Sequence, residues 1–283
     1  MIWRCRDLAF DLERRTLVAG VVNVTPDSFS DGGHTFEPGA AIARARRLSA
    51  EGADLVDLGA ESTRPGAVPV PADEQWRRLE PVLAALGGDP AIVVSVDTAD
   101  ASVAARALAA GARAINDVSA LADPDMASVV ARARAGIVLM HMQGTPATMQ
   151  RAPRYGALVP EVRAFLEERG ARARRAGIDD RAIAIDPGIG FGKRLEHNLE
   201  LLAHLNELTA LDRPIWVGVS RKSFIGTLTD RPLAERLEGG LAAAAIAVFQ
   251  GAHVVRTHDV AATVSAVRVA RALRRARGAR VPA

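Results

Sequence analysis

Along this chain short apolar runs alternate with stretches in which apolar residues recur every three to four positions. The first pattern is that of strands buried on both faces, the second that of helices with one apolar stripe. Leu17 to Val24 reads as a strand, and Gly39 to Glu51 as a helix with Ile42, Ala45 and Leu48 on one side. Leu55 to Leu58 follows as a strand, then a helix from Asp73 to Leu86 with Trp76, Leu79, Leu83 and Leu86 on one stripe. The pattern repeats with strands at Ile92–Val96, Ala114–Ile115, Ile137–Met140, Ala182–Ile185, Ile215–Val219 and Val254–Val255. The helices between and after them are expected at Ala101–Ala110, Asp125–Arg134, after Gly156, at Asn198–Thr209, Leu233–Phe249 and Val260–Arg275.

Strict alternation of strand and helix implies a parallel sheet, and eight units predict closure into an α/β (β/α)8 TIM barrel. The barrel is expected to occupy residues 17–283 as a single domain, after a short hairpin within residues 1–16. An open doubly wound sheet is less consistent, because no G-x-G-x-x-G follows the first strand.

With 283 residues, 49% hydrophobic and 24% charged, the chain has the composition of a soluble globular protein of that size. The net charge of +3 is small, and only two of the 36 basic residues, Lys193 and Lys222, are Lys. The Arg-rich stretches 169–175 and 271–280 read as solvated helix faces, so no nucleic-acid partner is expected. The single Cys5 excludes an intrachain disulfide and a multi-cysteine metal site. Neither a secretory pattern nor an apolar run longer than Leu241 to Phe249 is present, so no membrane partner and a cytoplasmic location are expected.

In a (β/α)8 barrel the active site lies at the carboxyl ends of the strands. The expected strand ends carry Asn23, Asp97, Asn116 and Asp117, Met140 and His141, Asp186, Ser220 to Lys222, and Arg256 with His258; Ser62, Thr63 and Arg64 follow the second strand. Each alone could be a cap or a loop residue; together they line one mouth. Asp186 opens the turn Asp-Pro-Gly-Ile-Gly-Phe-Gly-Lys193, where backbone can approach a ligand closely. A carboxylate there can accept two parallel N–H bonds from a 2-amino-4-oxopyrimidine edge. Asp97, Asn116 and Asp186 suit a hydrogen-bonding heterocycle, Lys222 adds a point charge or donor, and Arg64, Arg256 and His258 suit an anion. His141, between Met140 and Met142, fits this site or the core equally well.

Asn23-Val-Thr-Pro-Asp-Ser-Phe-Ser-Asp-Gly-Gly33, Glu61-Ser-Thr-Arg-Pro-Gly66, Ser95-Val-Asp-Thr98, Ile115-Asn-Asp-Val-Ser119, His141-Met-Gln-Gly144, Asp186 to Lys193, Ser220-Arg-Lys-Ser-Phe224 and Val255-Arg-Thr-His-Asp259 occur in order. Together they resemble the dihydropteroate synthase family, from about Val18 to Val260. That family joins 6-hydroxymethyl-7,8-dihydropterin pyrophosphate to 4-aminobenzoate and releases pyrophosphate. The resemblance implies a pterin pocket of Asp97, Asn116, Met140, Asp186 and Lys222, and Mg2+ as cofactor with Asn23 as its protein ligand. It implies a pyrophosphate site of Thr63, Arg64, Arg256 and His258, and aminobenzoate contacts from Phe29, Thr63, Pro65, Phe191 and Ser223. Asp186, Lys222, Asp97 and Asp31 are the implied catalytic set; Asp31 and Phe29 lie in a loop that the family folds over the reacting centre.

Family members are dimers, and the nearly all-apolar helix Leu241 to Phe249 suggests a homodimer here. Ala60 departs from the Gly common at that place, and Thr145 and Ala147 depart from the usual string after Gly144. Because pyrophosphate leaves readily once its charge is neutralised and no base faces the weak aromatic amine, an SN1-like displacement is expected. A methyltetrahydrofolate-dependent corrinoid methyltransferase is the competing enzyme class, but it needs no pyrophosphate site. A catalytically silent barrel acting as a binding protein is the non-enzymatic alternative.

Overall fold

The computed structural model describes residues 1–25, 38–62 and 66–278. A hairpin of β1 (Ile2–Cys5) and β2 (Leu8–Asp11) precedes eight parallel strands. These are β3 (Leu17–Asn23), β4 (Leu55–Gly59), β5 (Val94–Asp97), β6 (Ala114–Asp117), β7 (Gly136–Met140), β8 (Ile183–Asp186), β9 (Trp216–Gly218) and β10 (Val254–Thr257). They pair in the order β8-β7-β6-β5-β4-β3-β10-β9. A bridge between Ile185 and Ile215 brings the two edges together, so the barrel is nearly closed.

The outer layer is α1 (Pro38–Ala50), α2 (Ala72–Leu86), α3 (Ala101–Ala109), α4 (Met126–Ala133), α5 (Leu158–Arg175), α6 (Leu195–Ala203), α7 (Ser223–Thr229), α8 (Leu237–Phe249) and α9 (Val260–Gly278). Two helix expectations need correction. The stretch Asn198–Thr209 divides into α6 and a 3-10 segment, Leu205–Leu211, although Leu201, Leu202, Leu205 and Leu208 are all buried as their spacing requires. The helix expected from Leu233 starts only at Leu237, after a 3-10 turn, and the short α7 was not foreseen.

The pleat sorts each strand into two faces. Outward residues such as Val56, Val96, Ile115, Leu139, Ile185 and Val255 join the helix-facing core. Inward residues form a separate apolar floor: Leu17, Leu55, Ala114, Val138, Ala184, Trp216 and Val254. The hairpin seals that floor with Trp3 and Phe10; Trp3 meets Trp216 edge-on at 5.8 Å and donates through Nε1 to the Ala182 carbonyl at 3.0 Å. With the lower end plugged, the barrel interior opens at the carboxyl ends of the strands.

The plug also dictates a glycine. A Cβ on Gly136 would lie 2.5 Å from Cys5 Sγ and 3.2 Å from Trp3 Cζ2. Gly136→Ala is therefore expected to destabilise the protein by about 1–3 kcal/mol through overpacking. The midpoint of urea unfolding measures this, and an unshifted midpoint would mean that the hairpin yields freely.

Candidate active site

One pleat period above the floor, the inward positions change character. Two residues beyond Leu55, Ala114, Val138, Ala184, Trp216 and Val254 stand Asp57, Asn116, Met140, Asp186, Gly218 and Arg256. Asp97 pairs in register with both Asn116 and Gly59, and Met140 with Asp186, so these side chains form one ring. Asp57, Asp97, Asn116 and Asp186 are all buried.

Burial dominates the electrostatics of the ring. It pushes Asp97 up to about 7 despite the neighbouring Arg256, with Asp57 and Glu61 adding like charge. It raises Asp186 as well, against the pull of Lys222 and the bond that Asp186 Oδ1 accepts from the Gly188 amide at 2.7 Å. Burial also lowers Lys222 to about 8, opposed by the Asp186 carboxylate. Burial works against the Arg256 charge too, but Asp57 and Asp97 outweigh it and hold the guanidinium above the ordinary arginine value.

The turn after β8 is shaped by close approach. A Cβ on Gly188 would fall 1.9 Å from the His141 carbonyl oxygen, and Gly188 and Gly192 adopt φ of +69° and +57°. The tip of this turn carries Phe191, whose ring lies 4.4 Å from Lys222 Nζ; Lys222 also donates to the Ile189 carbonyl. Lys222 follows Arg221, which sits at φ 60° and is tied to Asp259 by an Nη2–Oδ1 pair at 2.6 Å. That turn directs Lys222 towards β8. Ser223 is exposed at the start of α7. Across β10, His258 shares a hydrogen bond with Ser220 Oγ at 3.1 Å through Nδ1.

Asn23 ends β3 on the inward side, half-buried. It offers one neutral carbonyl oxygen, and among the described residues no group of three or more His, Cys, Asp or Glu could hold a metal ion. That donor set fits a hard divalent cation held mainly by phosphate oxygens and water. A cavity of about 300 Å3 adjoins the mouth, with Glu61, Ser62, Val118, Ser119, Met140 and Phe165 among its walls.

Asp97, Asn116, Met140, Asp186, Lys222 and Arg256 thus converge, with Phe191, Asn23 and His258 around them. Phe29, Asp31, Thr63, Arg64 and Pro65 lie outside the described residues. Asp117 points away from the ring and caps the following loop, accepting from the Ser119 and Leu121 amides at 2.9 and 2.7 Å. His141 belongs to the packing: its ring meets Phe165 edge-on, and burial together with Lys193 lowers its pKa to about 3. Lys193, read from the sequence only as part of a turn, is buried with Nζ 3.0 Å from His141 Nδ1 and 3.0 Å from the Phe191 carbonyl oxygen. Asp57 was missed altogether. Its signal was a lone carboxylate inside an apolar parallel strand, two positions beyond an inward leucine.

The sequence model of the family described as pterin binding enzyme matches residues 19–258. The dihydropteroate synthase of Escherichia coli K12 is 45% identical over 255 residues, 90% of each chain. The solved structure of Xanthomonas albilineans dihydropteroate synthase with 4-aminobenzoic acid superposes with a TM-score of 0.90 at 47% identity, covering 99% of each chain. This chain belongs to the dihydropteroate synthase family. It is accordingly an enzyme, a transferase of folate biosynthesis. A second Xanthomonas albilineans structure of the family, in complex with 7,8-dihydropteroate, covers all of both chains at 45% identity with a TM-score of 0.86. The family's barrel with its hairpin is the architecture found here.

Proposed function

We propose that the mouth residues carry the family reaction in this way: Asp97, Asn116 and Asp186 bind the pterin edge of 6-hydroxymethyl-7,8-dihydropterin pyrophosphate, Met140 packs on the ring, and Lys222 adds a donor beside Asp186. The observation that supports this most is the buried polar ring, the three carboxylates of Asp57, Asp97 and Asp186 and the amide of Asn116, with the half-buried Lys222 beside Asp186, set directly above an apolar floor. Such groups are costly to bury without a partner of matching donors and acceptors. Arg256 and His258, together with Thr63 and Arg64, receive the pyrophosphate. Phe191 and Ser223 contact 4-aminobenzoate, as do Phe29, Thr63 and Pro65.

The bond between the exocyclic methylene carbon and the pyrophosphate oxygen breaks first, its electron pair leaving with pyrophosphate. The cationic side chains oppose the charge that develops there. The buried carboxylates of Asp97 and Asp186 favour the cation spread over the pterin. The amine nitrogen of 4-aminobenzoate then bonds to the methylene carbon and gives up a proton to solvent, yielding 7,8-dihydropteroate. Asp31 is assigned to the loop over the reacting centre. Asn23 would hold Mg2+ together with the pyrophosphate, and the ion would supply further charge neutralisation there. A turnover assay with the two substrates and Mg2+ tests the assignment: dihydropteroate is expected, and a folded protein forming none overturns it.

The enzyme is further proposed to be a cytoplasmic homodimer. Ile246 on α8 and Val269 and Leu273 on the neighbouring α9 are 52%, 62% and 58% exposed, an apolar surface beyond what packing on the barrel uses. Sedimentation at micromolar concentration is expected to give twice the 29.9 kDa chain mass, and a monomer mass would count against it.

A further inference from the structure

Arg256 is divided between two strands. Its Nε donates to Asp57 Oδ2 at 2.6 Å, while its Nη2 donates to Asp97 Oδ2 at 2.9 Å. Asp57 Oδ2 also accepts from Asn116 Nδ2 at 3.2 Å. The other oxygen of this fully buried carboxylate, Oδ1, has no hydrogen-bond partner among the described residues. An ion pair built only for stability would use both oxygens of Asp57, because the Nε–Nη2 edge of a guanidinium matches a carboxylate side-on. Instead one buried acceptor is left idle while Nη2 reaches across to the next strand. Leaving a buried acceptor unpaired is costly, and a second arrangement of Arg256 that supplies its donor relieves that cost.

Asp97 is the carboxylate assigned to the pterin under the proposed function, and the role inferred for Asp57 rests on that assignment. The Arg256 guanidinium, itself a set of coplanar N–H donors, already holds Oδ2 of Asp97. We propose that Asp57 is a positioning residue that receives Arg256 when the pterin takes Asp97. Nε keeps Asp57 Oδ2, and Nη2 moves from Asp97 Oδ2 to the idle Asp57 Oδ1. The arginine keeps its number of hydrogen bonds, the buried oxygen gains a donor, and Asp97 becomes available to the ring N–H. Nη1 is assigned to the pyrophosphate in either arrangement. Pterin binding therefore includes the displacement of an internal competitor, and the anion-binding arginine is set in place by the same exchange.

Calorimetry with 6-hydroxymethylpterin, which lacks the pyrophosphate, tests this in wild type, Arg256→Gln, Asp57→Asn and the double variant. Removing the competitor is expected to tighten pterin binding by about three- to tenfold, since the competent fraction of Asp97 rises. Asp57→Asn keeps a carbonyl oxygen for Asn116 but gives Arg256 no second carboxylate, so the arginine stays on Asp97. Its pterin affinity is expected to fall by about tenfold. In the Arg256→Gln background that penalty is expected to vanish, a coupling that a merely structural Asp57 would not produce. If Arg256→Gln weakens pterin binding, or if the Asp57→Asn penalty persists in the double variant, the exchange is wrong. Should Asp57→Asn fail to fold, Arg256→Gln alone decides. A wild type that binds no pterin overturns the site assignment as well; one that binds pterin without this pattern overturns the exchange alone.

Discussion

Asp186→Asn is expected to weaken binding of a pyrophosphate-free pterin by about 10- to 150-fold, the equivalent of one charge-assisted hydrogen bond of about 1.5–3 kcal/mol. Asp186 ends β8 on the inward face, buried, beside Lys222 and at the start of the glycine turn. The variant retains an oxygen to accept from the Gly188 amide, so the turn should hold. What it loses is the charge and the acceptor at Oδ2. Calorimetry reads the affinity, and the urea midpoint verifies the fold. A folded Asp186→Asn protein with wild-type affinity would remove Asp186 from the pterin site.

Lys222→Met is expected to lower kcat/KM by about 10- to 150-fold, on the same scale for a lost charged donor. It should also erase a limb of the pH profile. Burial lowers Lys222 to about 8 against the pull of Asp186, so the ammonium form prevails below that pH and is lost as pH rises through it. Wild-type kcat/KM is accordingly expected to fall on the alkaline side of about pH 8, whereas Lys222→Met should be flat there. Steady-state rates between about pH 6 and 10 measure both. An alkaline limb of equal height in the variant would belong to another group.

Much of the site was legible because a parallel barrel strand carries its function at a fixed place. Asp97, Met140 and Asp186 terminate their strands, and Asn116 stands one residue short of the end. Locating the carboxyl end of an apolar run therefore locates the mouth. Asp57 escaped because it stands two residues inside β4, where a strand read as uniformly apolar gives no direction to its side chains. Only the floor, with Leu55 inward, reveals that Asp57 points inward as well. Lys193 escaped for a different reason. Its partners, His141 and the Phe191 carbonyl, meet it only because the glycines of the turn let backbone approach to distances no Cβ would permit.

The linear pattern of residues dictated the alternation of strand and helix, the number of barrel strands and the residues at their ends. Burial on both faces of a parallel strand and on one face of a helix imposes periods that can be counted along the chain. The same pattern placed the buried leucines after β8 correctly, yet not the helix that breaks among them, since 3-10 and α segments bury nearly the same spacing. Which charges share partners was settled only by the folded barrel. Arg256 and Asp57 are 199 residues apart, and their contact depends on strand order and on the inward phase of two pleats. The barrel also set how far burial moves Asp97 and Lys222 from their ordinary values, because desolvation is a property of the assembled barrel and not of any segment within it.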